Sequence, residues 1–241
     1  MADRHLNLFY AYGGHDGVGN LIEDNLTRAF IKTVRMLSPE RREAFLKDLF
    51  GRARPLMFVD RTHPAPPPKP IPCVSFAEAD VALQDHIPRK HDPRHRKYEH
   101  KRVVTISSGA QPMKRNRGSG QSIPDAWIYD CSTASFCFLV ESKYRDDNPI
   151  ETGQILRHGD WLGKNWRGSD WDECVAPDLL DLTWYDVLEA IETANVGPDA
   201  GLDRKVFDEL AQYIGYYGYR SFRGLDFTSL TMPPEWQIVQ P

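Results

Sequence analysis

Apolar residues recur at helical spacing in Ile22, Leu26, Phe30, Val34 and Leu37, which predicts a helix from about Leu21 to Leu37 with one face turned inward. A second helix is expected from Ser38-Pro39-Glu40, with Ser38 as cap and Pro39 in the first helical position, running to a glycine stop at Gly51. "RVVTIS" (102–107), "DAWIYD" (125–130) and "FCFLVESKY" (136–144) have the β-branched and aromatic composition of strands, and the short connection between the last two predicts a hairpin. "ETGQILRHGDWL", "TWYDVLEAIETA" and "RKVFDELAQYIGYY" return to the helical period. With "NLFYAY" as a short strand before the first helix, the pattern predicts the α/β class: a small sheet flanked by helices.

The chain of 241 residues can bury one substantial core, so residues 1–241 are read as a single domain. Two segments interrupt it: "HPAPPPKPIP" (63–72), an extended proline-rich spacer, and a basic loop at about 86–120. No apolar run is long enough to cross a bilayer, and "MADRHLNLFYAYGG" lacks the layout of a secretory signal, so no membrane contact and a cytoplasmic location are expected. Cys73, Cys131, Cys137 and Cys174 show no CxxC spacing and read as reduced thiols. "GGHDGVGN" lacks the third glycine of a dinucleotide fingerprint and the Lys-Ser/Thr of a P-loop.

Charge changes this picture more than composition does. Between Arg89 and Arg117 stand ten Lys/Arg against Asp92 and Glu99, so a segment of charge +8 sits on a remainder of −12. Two readings stay open: a solvated loop, or an electrostatic footprint for phosphates in which Lys114, Arg115 and Arg117 track a nucleic-acid backbone. His91, His95 and His100 in this segment have no accompanying ligand motif and are assigned to the loop.

Candidate chemistry gathers in "SIPDAWIYDCSTASFCFLVESKYR" (122–145). Strand side chains alternate, so Glu141 and Lys143 share one face while Phe138, Val140 and Ser142 take the other. With Asp125 on the neighbouring strand, two carboxylates approach each other, and a divalent cation between them relieves the repulsion. Oxygen-only ligands favour magnesium or manganese, whose work is to polarise a phosphoryl oxygen and acidify a bound water. Lys143 then orients or deprotonates that water and stabilises charge on the phosphate, and Arg145, on the same face if the strand continues, contacts a phosphate. Removing either carboxylate is expected to leave the fold intact. The alternative for Glu141 and Lys143 is an exposed ion pair at a strand end.

"PDAW" followed by "VESK" resembles the PD-(D/E)xK nuclease superfamily. The resemblance implies a restriction-endonuclease-like core with a mixed sheet flanked by helices. It implies Asp125 and Glu141 as metal ligands, Lys143 as catalytic lysine, an acid on the N-terminal helix matched by Glu23, and a glutamine on the following helix matched by Gln154. On that basis the expected activity is magnesium-dependent hydrolysis of DNA, in the manner of nucleases of bacterial defence against phage. The alternative is a non-catalytic nucleic-acid-binding subunit of the same fold. A protein partner, self-association, strandedness and sequence preference stay open. Glu23 also suits a helix start by its charge alone, and Gln154 an ordinary surface position. His158, four residues after Gln154, has two readings: on the same side and touching substrate, or, as is commoner for a lone histidine, structural.

Overall fold

The computed structural model describes residues 19–55, 67–71, 74–84, 86–109, 123–143, 150–164, 166, 175–196 and 201–219, with side chains from residue 25 onward. The expected strand "NLFYAY" and Lys114, Arg115, Arg117 and Arg145 lie outside the described residues.

Two helices open the described chain, α1 (Gly19–Met36) and α2 (Pro39–Gly51). Strands β1 (Ala79–Leu83), β2 (His100–Ser107), β3 (Ala126–Asp130) and β4 (Phe136–Ser142) follow, then α3 (Thr152–Trp161), β5 (Leu179–Thr183), α4 (Trp184–Ala194) and α5 (Gly201–Tyr216). The strands form one five-stranded sheet in the order β1-β3-β4-β2-β5. β1, β3 and β4 pair antiparallel, whereas β2 runs parallel to both β4 and β5, so the sheet is mixed. The expected β3–β4 hairpin is present, and the α/β class holds.

β4 lies centrally and every residue in it is buried, which is why its sequence reads as an almost unbroken apolar run. Its side chains alternate between two cores. Phe136, Phe138 and Val140 join the larger one with Phe30 and Val34 of α1, Phe45 and Leu49 of α2, and residues of α4 and α5. Cys137 and Leu139 join the smaller one with Trp127 and Tyr129 of β3 and Ile155 of α3. Gly159 of α3 belongs to that packing: a Cβ there would overlap the Trp166 indole.

Ser38 does not cap α2 through its side chain. It is drawn instead to Asp203 of α5, its N–H donating at 2.9 Å and its hydroxyl at 2.5 Å. Arg42 makes the tie between α1 and β1, its guanidinium donating to the carbonyls of Val34, Leu37, Ala77 and Ala79 at 2.8–2.9 Å. Asp130 closes β3 and holds the hairpin: its carboxylate accepts from the backbone and hydroxyls of Ser132, Thr133 and Ser135. Those donors overcome burial and hold its carboxyl well below the usual range.

The basic segment is not a free loop over its first half. It contains a 3-10 turn at Arg89–His91 and all of β2. Arg94 pairs with Asp92 at 2.6 Å and stacks on Trp161, Arg96 donates to the Cys131 and Ser132 carbonyls, Lys101 donates to the Leu162 carbonyl at 2.7 Å, and buried Arg102 pairs with Asp178 at 3.0 Å. These four cations are used by the fold, so a phosphate footprint would have to rest on the remainder. Cys131 and Cys137 are free thiols. Among the described residues no helix is long and apolar enough to cross a membrane.

Candidate active site

The polar end of β4 is held by backbone pairing with β2 and by one side-chain donor from α4. Lys143 N–H donates to the Ile106 carbonyl at 2.8 Å, and the Trp184 indole N–H donates to the Lys143 carbonyl at 3.2 Å. The antiparallel register ends with Ala126 against Val140, and just beyond it Asp125 N–H donates to the Val140 carbonyl at 3.2 Å, one residue out of that register. On the other side the parallel registers set Thr105 of β2 beside Glu141, and Asp181 of β5 beside Thr105. The result is a row of three polar residues, Glu141, Thr105 and Asp181, across the sheet on the face that α3 covers, with Asp125 beyond the Glu141 end.

Glu141 is the centre of this row. It is 1 % exposed, and both carboxylate oxygens are occupied: Lys143 Nζ lies 3.0 Å from Oε1, the Gln154 amide donates to Oε1, and His158 Nε2 lies 2.8 Å from Oε2. A carboxylate accepts only, so His158 carries its proton on Nε2. Gln154 and His158 reach one carboxylate because residues four apart lie on one face of a helix. Burial pushes the Glu141 carboxyl up, but the hydrogen bond and charge of His158, with the charge of Lys143, outweigh it and hold the group below the usual range. Glu141 is therefore ionised at neutral pH.

This arrangement corrects one expectation. Glu141 is not left in a repulsive pair whose removal would relax the fold; its charge is met within the protein by Lys143, His158 and Gln154. The exposed strand-end reading fails for the same reason, since the Lys143 side chain is only 12 % exposed.

Asp125 is fixed differently. Its Oδ2 accepts from Ser142 N–H at 2.7 Å and from the Ser142 hydroxyl at 3.3 Å. With the Ser142 proton directed at the carboxylate, the Thr27 hydroxyl of α1 donates to Ser142 Oγ, which completes a relay from α1 to Asp125. Position 23 lies on α1 one helical turn before Thr27; the Glu23 side chain lies outside the described residues. The structure thus brings together Glu141, Lys143 and Gln154, and ties Asp125 to Ser142, the residue between Glu141 and Lys143.

Sequence reading missed Ser142, Thr27 and Asp181, and although it weighed His158 on the same side as Gln154, it did not see that His158 bonds Glu141. Asp181 was visible as a lone acid in the apolar strand "LLDLT". Thr105 Oγ1 donates to Asp181 at 2.9 Å, and burial pushes the Asp181 carboxyl up to about 6, with Asp186 adding to the rise and Thr105 and Arg54 opposing it.

Among the described residues no group of three or more His, Cys, Asp or Glu side chains is gathered as a metal site. A cation here would rest on the oxygens of Asp125 and Glu141 with solvent, and magnesium commonly binds through one or two carboxylates. Carboxylate oxygens suit a hard ion, but one bound here would share the Glu141 oxygens with, or take them from, Lys143, Gln154 and His158. Compared with known proteins, the chain matches no family model, no curated protein and no solved structure.

Proposed function

We propose that the chain is a metal-dependent nuclease of restriction-endonuclease-like architecture that hydrolyses phosphodiester bonds of DNA. One observation carries the reading: an ionised, buried Glu141 holds the Lys143 ammonium at 3.0 Å, while Asp125 is tied to Ser142, the next residue of the strand. A purely structural strand end has little use for a desolvated carboxylate with a lysine two residues on, because such a pair is costly to bury.

Asp125 and Glu141 would hold magnesium or manganese, which when bound polarises the phosphoryl oxygen and lowers the pKa of a water. The protein's own groups do the rest. Ser142 aims the Asp125 carboxylate, while Gln154 and His158 fix that of Glu141. Lys143 sits where its ammonium can hydrogen-bond the attacking water or a phosphate oxygen as negative charge grows. Attack by water forms one P–O bond and breaks the other; the proton the water loses passes to solvent, and the leaving oxygen takes a proton from solvent. Glu23 would support the site from α1.

The test is cleavage of plasmid, linear and single-stranded DNA with magnesium, with chelator, and by Asp125→Asn. Cleavage that needs the metal and is abolished in Asp125→Asn supports the reading. Full cleavage by Asp125→Asn, or DNA binding without any cleavage under all conditions, overturns it.

A further inference from the structure

Helix α3 carries a third polar residue beside the site. Gln154 and His158 commit their donors to Glu141, but Arg157 stands between them in sequence with its Nε and Nη1 buried and without a hydrogen-bond partner among the described residues. The residue itself is only half-buried, so part of the side chain reaches the surface.

Its place follows from two contacts of the helix. Gln154 and His158 lie at the level of Glu141, whereas the Leu162 carbonyl accepts from Lys101, which is in register with Cys137, so α3 runs back along β4 from its polar end. Trp161, four residues after Arg157 and on the same flank of the helix, lies 6.1 Å from Trp127 of β3 between ring centroids. Trp127 is in register with Leu139, and Asp125 lies two residues nearer the polar end. One turn back from Trp161 therefore sets Arg157 on the β3 flank of α3, at the level of Asp125.

A guanidinium stripped of water at two nitrogens and given no acceptor is a standing cost to the fold. The group that removes it is an oxyanion, and a tetrahedral phosphate offers several acceptors to a planar donor that stays charged at every accessible pH. We propose that Arg157 anchors a backbone phosphate of the nucleic-acid strand beside the Asp125–Glu141 pair. This rests on the nuclease reading.

The test uses the full chain, a labelled DNA oligonucleotide and calcium in place of magnesium, with binding followed by fluorescence anisotropy across a salt series. Arg157→Met should bind about tenfold more weakly, a loss of about 1.4 kcal/mol. Its log-log salt slope should fall by about 0.7–0.9. Arg157→Lys, which keeps the charge and loses the planar donors, should fall between the two. In the free protein Arg157→Met should melt at the wild-type temperature or above, because an unsatisfied buried group has been removed. Unchanged affinity and slope in Arg157→Met overturn the proposal, as does a fall in melting temperature that tracks the loss of affinity in both variants, which marks a structural arginine. Wild-type protein that binds DNA through Arg157 yet never cleaves it defeats the nuclease reading and keeps the anchor. Cleaving protein whose Arg157→Met variant binds normally defeats the anchor alone, and wild-type protein that binds no DNA defeats both.

Discussion

Asp181→Asn should stabilise this protein, and only above a definable pH. In the folded chain burial raises the Asp181 carboxyl from its ordinary 3.8 to about 6. A folded value above the unfolded one means that the native state holds the proton more tightly, so the group favours folding most below the unfolded pKa. That advantage is lost as pH rises through about 6, where native Asp181 ionises. About two units of difference correspond to roughly 3 kcal/mol withheld from stability at neutral pH. Asparagine keeps an oxygen to accept from Thr105 Oγ1 and removes the charge that faces Asp186. Urea unfolding of both proteins, extrapolated to water from about pH 4 to pH 8, measures the difference. The two should be nearly equal at about pH 4, diverge between pH 4 and 6, and hold a gap of roughly 3 kcal/mol above that. A gap of constant size across the series would refute the reasoning, because it would assign the effect to packing and not to ionisation.

Glu141→Gln should cost about 3–5 kcal/mol by the same unfolding assay, since it leaves Lys143 and His158 near a neutral partner in a dry site; an unchanged midpoint would show the charge to be solvated. Asp130→Ala, which strands the donors of Ser132, Thr133 and Ser135 at the β3–β4 turn, should cost about 3 kcal/mol, and a loss under about 0.5 would mean that water replaces the carboxylate. Lys143→Met should keep DNA affinity in calcium while turnover in magnesium falls by about a hundredfold or more, whereas equal loss of both would assign the lysine to binding. Replacing Lys114, Arg115 and Arg117 together by Ser should flatten the salt dependence of DNA binding and leave turnover at saturating DNA near wild type; an unchanged slope would leave the backbone contacts to the cleft.

The elements with strong periodicity were legible: the helices at both ends of the sheet, β2, and the β3–β4 hairpin. β1 was missed because a five-residue edge strand, "ADVAL", carries too few alternations to announce itself. β5 was missed because "LLDLT" runs directly into the capping box of α4, where Thr183 and Asp186 give a helix start louder than the strand before it. The pairing of Glu141 with Lys143 on one face followed from alternation, and Gln154 came with the family resemblance. Ser142 and Thr27 could not be found that way. Their relay to Asp125 joins residues 115 apart in sequence through two hydroxyls, and serine and threonine are common enough in cores to carry no signal of their own. The basic segment misled for the opposite reason: a run of cations reads as one patch, but β2 alternation and nearby acceptors divide them among separate tasks.

Where the fold spends stability is itself informative. Elsewhere local choices agree with the global structure: Arg42 satisfies four carbonyls, Asp130 gathers its whole turn, and the capping box of α4 is complete. Against that background the polar end of the sheet collects a desolvated Glu141, an Asp181 that folding makes harder to ionise, and an Arg157 with two unsatisfied nitrogens. Each alone has a structural reading, and each costs stability that an apolar side chain of similar volume would not. Glu141 and Asp181 share one face and one register row, Arg157 lies on the helix above it, and that convergence is hard to derive from packing, which gains nothing from placing unlike charges there. Departures of this kind are expected where a sequence serves chemistry as well as folding. The stability measurements on Asp181→Asn, Glu141→Gln and Arg157→Met therefore bear on function: two variants that stabilise or leave the melt unchanged, beside one that destabilises, are the signature of a site in which Glu141 is satisfied by the protein and its neighbours are not.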